Sequence, residues 1–362
     1  MFAFGLFPFN FWPANHLRWA PDGPGIEFHR TAILATDRTL FPVAAGPRSD
    51  RAAPAALTLE LWLRPGAEPE NGIPSILSFF DGRIPENLTV GQWRTSILLR
   101  APSPDPARAR TPRETGLRDA LRAGQTRFVT IACDPAGTTF YLDGVQARHD
   151  PDFRLDPGRL AGRLLLGNSA RESRTWQGTI LGLAVHDRAL GAAEVAERHA
   201  AWTTGAGAPS DTPGLLALYR LDEGAGRVIH DRSPGAHDLA FTGRFRVPRK
   251  PVLGPPGSGF PPRPHPWRDI VVNALGFIPF GFVFAAQLSR RCPWRPLRTV
   301  VLTVLMGLGI SLAIELAQVF LPSRDSSATD LLNNSLGTFL GALGWMAAGR
   351  WWAPVKAAST QR

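Results

Sequence analysis

One apolar run, residues 299–321, constrains this chain more than any other feature. At 23 residues it is long enough to cross a bilayer as a helix. The run nevertheless contains Glu315 and Gln318. An ionisable group at membrane depth costs roughly 3 kcal/mol, so it normally faces a polar partner or a hydrated cavity. These two residues therefore indicate either a functional site or a structural contact inside a membrane helix.

Two further apolar runs, at 270–288 and 331–349, flank the first, and each has 19 residues. This length is just sufficient to span the hydrocarbon as a helix. The sequence therefore predicts a helical membrane domain over 268–350 with three spans. Residues 20–265 are rich in arginine and proline and have the character of a soluble domain, so the two parts are interpreted separately.

The net charge of +10 does not indicate a nucleic-acid partner. Its arginines are scattered among alanine, glycine and proline, and they form no basic stripe with interleaved aromatic residues. The two cysteines, Cys133 and Cys292, lie in different parts of the chain and imply no disulfide framework. We expect no nucleic acid among the partners.

The loop at 290–298 holds four arginines and no acid, which predicts that it is cytoplasmic. The tail at 351–362 is then cytoplasmic as well, whereas the soluble region and the loop at 322–329 are extracytoplasmic. Residues 1–13 are too short to span, and we interpret them as the outer end of a first helix. On this hypothesis the true start lies upstream of Met1.

The soluble region, 15–245, is predicted to be an all-β antiparallel sandwich. Leucines alternate with other residues over 57–63, as in a half-buried strand. The pair Asp143-Gly144 between 138–142 and 145–148 is a strong hairpin signal. Further strands are predicted at 128–133, 163–166 and 178–185, followed by a helix at 191–202.

Several of these segments resemble the laminin-G-like, concanavalin A-like jelly-roll family, namely LTLELWLRP, TTFYLDGVQ, LLLGN and WQGTILGLAVHDRALGAAEVAERH. Residues 218–239 resemble the segment with which such domains commonly begin, although here it comes last. This order predicts a circular permutation, which is tolerable when the first and last strands are neighbours. The alternative is that 218–239 is a loop-rich appendix.

The jelly-roll resemblance implies binding of a glycan or a protein, and calcium in some relatives. Asp222, Glu223 and Asp231 could supply hard oxygen ligands for calcium. Acids in turns more often accept hydrogen bonds from the backbone, so we predict no cofactor with calcium as the alternative. Residues 246–267 are dominated by proline and glycine and are predicted to be a linker.

Polar residues recur on each predicted span at a spacing of three or four, which places each pair on one helical face. The predicted orientation puts these faces in the outer half of the bilayer. The Gly337 and Gly341 step would let helices approach closely. The alternative is that these groups only join helices by hydrogen bonds. The candidate binding cluster consists of Asp269, Asn273, Glu315, Gln318, Arg324, Asp325, Asp330 and Asn334.

The segments RDIVVNALGFIPFGF, SLAIELAQVF and SRDSSATDLLNNSLGTFLG resemble the VanZ-like membrane family, and they contain every residue of the candidate cluster. The start LFPFNF is similar to the end of that family's first helix. The resemblance implies a bacterial cytoplasmic-membrane protein and, in founding members, a link to glycopeptide resistance. It implies no established reaction.

These observations together predict a multi-pass membrane protein that binds a cell-envelope ligand. The ligand would be a glycan, a lipid-linked precursor or a glycopeptide, and membrane lipid would be a further partner. Two alternatives remain open. The protein is either an enzyme acting on a lipid-linked substrate with Glu315 as acid or base, or an adhesion module on a passive anchor.

Overall fold

The computed structural model describes residues 5–359 except for 8, 41–55, 82–85, 104, 106–110, 156–161, 171–174, 205–206, 246–251, 255–265, 292–294, 322–323 and 325. At 266–270 and 349–359 it describes the backbone alone. The chain divides into two compact units. One unit comprises Pro13–Arg249, and the other joins Met1–Trp12 to Lys250–Arg362.

The first unit is an antiparallel β-sandwich with one helix. Its strands are β1 (Leu17–Trp19), β2 (Ile26–Phe28), β3 (Leu34–Thr36), β4 (Leu57–Pro65), β5 (Ser75–Phe80), β6 (Leu88–Trp93), β7 (Ser96–Ala101), β8 (Arg113–Leu117), β9 (Arg127–Asp134), β10 (Gly137–Leu142), β11 (Val145–Asp150), β12 (Arg163–Leu166), β13 (Gly178–His186), β14 (Leu215–Tyr219), β15 (Val228–Ile229) and β16 (Leu239–Ala240). The helix α1 (Ala192–Thr203) follows β13.

The strands form two sheets of eight. One runs β1-β2-β13-β4-β9-β10-β11, with β14 also paired to β13, and the other runs β15-β16-β3-β12-β5-β6-β7-β8. Every pairing between these strands is antiparallel. The structure thus confirms the predicted antiparallel sandwich, including the β10–β11 hairpin and helix α1.

Strand β4 departs from the half-buried pattern that its alternation predicts. The leucines of β4 are fully buried, but so are Thr58 and Glu60 on its other face. This second face lies beneath α1, whose Arg198 and Trp202 contact Glu60. A strand covered on both sides loses its solvent-facing row, although its residue pattern still alternates.

The segment at 218–239 is part of the sandwich, so its interpretation as an appendix is wrong. Strand β14 pairs with β13, with Tyr219 opposite Leu183, and β16 pairs with β3. Tyr219 is fully buried, and its hydroxyl donates to the carbonyl of His237 at 2.6 Å. The circular permutation stays a prediction.

The second unit contains three long helices: α2 (Pro266–Arg291), α3 (Pro296–Gln318) and α4 (Ala328–Ser359). Within the described residues, two segments are long and apolar enough to cross a membrane, Val271–Arg291 and Pro296–Gln318. The predicted third span lies within α4, which continues past Gly349 into the predicted tail. The predicted second span extends beyond α3, which ends at Gln318.

Glycines bring α2 and α4 into close contact. A Cβ atom at Gly337 would collide with the carbonyl oxygen of Ala274, and one at Gly341 with that of Ile278. On the opposite helix, a Cβ atom at Gly281 would collide with the carbonyl of Thr338. The absence of side chains at these positions therefore permits backbone-to-backbone packing, as the Gly-x-x-x-Gly step predicts.

Candidate functional site

Glu315 lies on α3 and is 1% exposed. Its Oε2 accepts a hydrogen bond from the backbone N–H of Ser327 at 2.7 Å. Because α4 begins at Ala328, Ser327 is the residue that caps this helix. The first N–H groups of a helix have no partner within the helix and carry partial positive charge. The carboxylate of Glu315 is therefore stabilised by the start of α4.

Asp330 lies in the first turn of α4, where an acid is favoured by the helix dipole. Its backbone N–H points at the Oγ of Ser327 across 3.4 Å. The order Ser327-x-x-Asp330 is that of a capping box. The Ser327 N–H, which the acid of a capping box normally accepts, is bonded to Glu315, so Glu315 takes that role here and Asp330 lies in the turn that it caps.

Asn334 and Gln318 contribute two amide groups to the same part of the molecule. The Nδ2 of Asn334 donates to the Oγ of Ser311 at 2.9 Å, across the α3–α4 interface. The Nε2 of Gln318 donates to the carbonyl of Gly5 at 2.9 Å. Asn334 is 5% exposed and Gln318 is 7% exposed. The Oδ1 of Asn334 and the Oε1 of Gln318 are buried and have no hydrogen-bond partner among the described residues.

Ser311, Glu315 and Gln318 are spaced i, i+4 and i+7, so they occupy one face of α3. All three are buried in the structure. Opposite this face are the start of α4 and, at Asn334, its second turn. The structure therefore brings Glu315, Gln318 and Asn334 to a single polar layer along α3, with two acceptor oxygens unpaired.

The N-terminal residues lie against the C-terminal end of α3 and the residues that follow it. In addition to the contact of Gly5 with Gln318, the Nε of Arg324 donates to the carbonyl of Phe7 at 3.0 Å. The rings of Trp12 and Phe320 are 5.4 Å apart. The N-terminal segment therefore covers part of the polar layer. Local sequence patterns around Glu315 do not reveal this contact.

A residue of the predicted linker contacts the loop before α4. Gly254 forms an isolated parallel bridge with Ser327. Its N–H donates to the carbonyl of Ser326 at 2.9 Å, and its carbonyl accepts from Ala328 at 3.1 Å. The predicted linker is thus locally ordered at this point, because the loop before α4 offers it backbone partners.

The structure does not test the place of three other members of the predicted cluster. Asn273 is half-buried on α2. Asp269 lies where the backbone alone is described, and Asp325 lies outside the described residues. The prediction that these three residues belong to a common site stays a prediction.

Two of the acids predicted as possible calcium ligands, Asp231 and Glu223, accept backbone hydrogen bonds in turns of the sandwich. The Oδ1 of Asp231 accepts from the N–H groups of Leu218 and Ser233, and its Oδ2 from His237 N–H, each at 2.8–2.9 Å. Glu223 accepts from His230 N–H at 2.9 Å. Within the described ranges, no group of three or more His, Cys, Asp or Glu side chains could hold a metal ion.

Two stretches of the chain match known families. Residues 238–349 match the VanZ/LLP1 family. Residues 43–196 match the concanavalin A-like lectin/glucanases superfamily. The chain joins a lectin-like domain to a VanZ-like part. Both matches agree with the resemblances seen in the sequence.

Solved structures give distant matches to the lectin-like domain. A protein from Bacteroides ovatus assigned to carbohydrate binding has 13% identity and a TM-score of 0.40, with 60% of each chain covered. A carbohydrate-binding module of a Ruminococcus gnavus sialidase, bound to sialyllactose, has 14% identity and a TM-score of 0.35, covering 48% of this chain and 95% of the module. A Trypanosoma rangeli sialidase has 13% identity and a TM-score of 0.37, covering 51% of this chain and 28% of the sialidase.

At such TM-scores, the ligands of these proteins do not transfer to this chain. No curated protein matches the chain. A lectin-like domain joined to a VanZ-like part with two apolar helices fits carbohydrate binding in a membrane protein.

Proposed function

We propose that this protein is a multi-pass protein of the bacterial cytoplasmic membrane that binds a cell-envelope ligand. The lectin-like domain is extracytoplasmic and engages a glycan. The VanZ-like part contributes a polar pocket in the outer-leaflet half of the membrane, built on Glu315, Gln318 and Asn334. The ligand is a glycan, a lipid-linked precursor or a glycopeptide.

The pair of unpaired acceptor oxygens on Gln318 and Asn334 carries the membrane half of this proposal. A buried polar atom left without a partner costs about 1–3 kcal/mol. Side chains that only joined helices together would be expected to pair, as the Nδ2 of Asn334 does with Ser311. Oxygens of this kind favour a ligand that donates hydrogen bonds, such as a hydroxyl or an ammonium group.

The contact of Glu315 with Ser327 supports a structural role for this carboxylate rather than a catalytic one. A general acid or base must reach the reacting atom of a substrate. The Oε2 of Glu315 is instead engaged by the N–H that precedes α4. In this arrangement Glu315 holds the loop that encloses the pocket, whereas the amide oxygens face the ligand.

The test is a binding screen against envelope glycans and envelope lipids. Full-length protein in detergent is compared with a fragment of residues 13–249, whose folding is first checked by circular dichroism. We expect both to bind free glycan equally, and the full-length protein to bind a lipid-linked form of the same saccharide more tightly than the fragment does. The variant Gln318→Leu should bind the lipid-linked saccharide only as tightly as the fragment does, with unchanged affinity for the free glycan. Identical binding by full-length protein, variant and fragment would remove the case for the membrane pocket.

A further inference from the structure

The lectin-like domain has an open depression of about 550 Å³. It lies between residues that follow β2 and β4 and residues that precede β13. Small-molecule pockets occupy about 300–1,000 Å³, so this depression is large enough for a short saccharide. The polar side chains that line it include Arg30, Glu68, Glu70, Asn71 and Gln177.

The floor of the depression is fixed by buried hydrogen bonds. Trp176 is fully buried, and its indole N–H donates to the Oε1 of Gln92 at 2.6 Å. Thr175 is 7% exposed, and its Oγ1 accepts from Ala32 N–H at 2.8 Å. Thr175 also forms a parallel bridge with Ser75. A floor held in this way costs little conformational entropy when a ligand binds.

Arg30, at the mouth, has a backbone φ of 48°, in the left-handed region. A non-glycine residue rarely adopts this conformation, which costs of order 1–3 kcal/mol. The residue therefore occupies its position at the expense of backbone strain. The conformation sets where its guanidinium group leaves the chain.

The chemistry of the rim matches a hydroxyl-rich ligand. Glu68, Glu70, Asn71 and Gln177 are exposed, and each ends in a planar carboxylate or amide. Such groups pair with neighbouring hydroxyls because they present two adjacent polar atoms. The indole ring of Trp176 is buried, so it offers no stacking face to a sugar. Recognition here would depend on hydrogen bonds and charge.

The charges that line the depression indicate which class of saccharide it would bind. Among the described residues that line the depression, two carry a carboxylate, Glu68 and Glu70, and one carries a guanidinium group, Arg30. The excess of negative charge attracts an ammonium group and repels a carboxylate. A saccharide with a free amino group therefore meets complementary charge, whereas an acidic sugar such as sialic acid does not.

We propose that this depression binds a saccharide that carries a free amino group, and that it discriminates against acidic sugars. This inference rests on the proposed function, since it names the site and the sugar class through which the lectin-like domain would engage the envelope. Glu68 and Glu70 hold the ammonium group. Asn71 and Gln177 bind hydroxyls beside it.

The test uses full-length protein in detergent and calorimetric titration. The probes are the β-1,4-linked disaccharide of glucosamine, its N-acetylated counterpart and sialyllactose, at a pH that keeps the glucosamine protonated. We expect the affinity to be highest for the glucosamine disaccharide, lower for its N-acetylated counterpart and lowest for sialyllactose. Added salt should weaken only the binding of the glucosamine disaccharide. The double variant Glu68→Gln/Glu70→Gln should bind the glucosamine disaccharide about tenfold more weakly. Its affinity for the N-acetylated disaccharide should change little.

The matched control is Glu197→Gln, which removes an exposed carboxylate on α1 outside the depression. It should leave all three affinities unchanged. A wild-type preference for sialyllactose, or a double variant that keeps full affinity for glucosamine, would overturn this assignment while leaving glycan binding intact. Failure to bind any of a wide panel of glycans would instead overturn the proposed function.

Discussion

The carboxylate of Glu315 accepts the backbone N–H of Ser327 at 2.7 Å, one residue before α4 begins. A side chain from one helix thus satisfies the exposed start of the next. Glu315 and Ser327 are twelve residues apart and lie on opposite sides of the α3–α4 loop. The contact therefore ties the end of one apolar helix to the beginning of another.

Removing the carboxylate should destabilise the helical unit. We expect Glu315→Ala to lower the free energy of unfolding by about 1–3 kcal/mol, since the N–H of Ser327 loses its buried acceptor. Glu315→Gln keeps an acceptor oxygen and should cost less. Thermal unfolding of purified protein in detergent, followed by circular dichroism, measures both. Equal stability of Glu315→Ala and wild type would contradict the capping role.

The variant Glu315→Gln also distinguishes a structural role of Glu315 from a catalytic one. If Glu315 acts only as a cap, Glu315→Gln should retain the binding of envelope lipid. If it transfers protons in an enzymatic reaction, turnover of an envelope lipid should vanish in Glu315→Gln although the protein stays folded. Incubating wild type and Glu315→Gln with envelope lipids and analysing the products by mass spectrometry distinguishes these outcomes.

Another prediction concerns the buried ion pair beneath α1. The guanidinium of Arg198 donates to both carboxylate oxygens of Glu60, at 2.6 and 2.7 Å, and both side chains are almost fully buried. Glu60→Gln leaves this guanidinium without a countercharge. We therefore expect the free energy of unfolding, measured by chemical denaturation, to fall by about 3–5 kcal/mol. The control Glu194→Gln breaks a partly exposed pair with Arg188 and should cost at most about 1 kcal/mol.

Glu60 should also contribute to the acid sensitivity of the sandwich. Burial raises its pKa, but hydrogen bonds from His186 and Arg198 and the charge of Arg198 outweigh burial and hold the pKa below its ordinary value. A group with a lowered folded-state pKa stabilises the fold above its unfolded pKa, and this stabilisation is lost as the pH falls through the folded-state pKa. Between neutral pH and about pH 3, stability should therefore fall more steeply in wild type than in Glu60→Gln.

Helix packing gives a further prediction with an internal control. A Cβ atom at Gly281 would collide with the carbonyl of Thr338, whereas one at Gly276 on the same helix meets no described atom within 4 Å. Gly281→Ala should push α2 and α4 apart and lower thermal stability in detergent. Gly276→Ala should leave it unchanged or raise it by up to about 1 kcal/mol, because alanine favours the helix. Equal effects of the two substitutions would argue against close α2–α4 packing.

The thiol of Cys133 should react slowly with alkylating reagents in the folded protein. It is 1% exposed in the sandwich core, and burial raises the pKa of its thiol to about 12. Because the thiolate is the reactive form, alkylation should be slow until the domain unfolds. In a Cys292→Ser background, the iodoacetamide reaction measured against denaturant should follow the unfolding curve. Rapid labelling in native buffer would show that the core opens locally.

Much of the sandwich could be predicted from local patterns. Alternating leucines, the Asp143-Gly144 turn and apolar β-branched runs mark strands whose signal lies within a few residues. Strands β1, β2 and β3 have three residues each, which is too short for any period to be recognised. Strands β2 and β3 pair with β13 and β12, more than a hundred residues away, and β1 joins the sheet only through β2.

Glu60 illustrates the limit of the same reasoning. In the sequence it occupies the polar position of an alternating strand, which is typical of a solvent-facing residue. Only the return of the chain through α1 covers that face and supplies Arg198 as its partner. No pattern within β4 contains this information, because the partner lies 138 residues further along the chain.

The sequence by itself determined that a carboxylate and an amide lie within an apolar helix, because composition and run length are local properties that fix the cost of exposing them to lipid. It also determined the two-part organisation and the strand pattern of the lectin-like domain. Only the tertiary structure decided what Glu315 and Gln318 contact. Their partners are backbone groups of Ser327 and Gly5, and every residue carries such groups, so only the folding of the chain selects which of them reach these side chains.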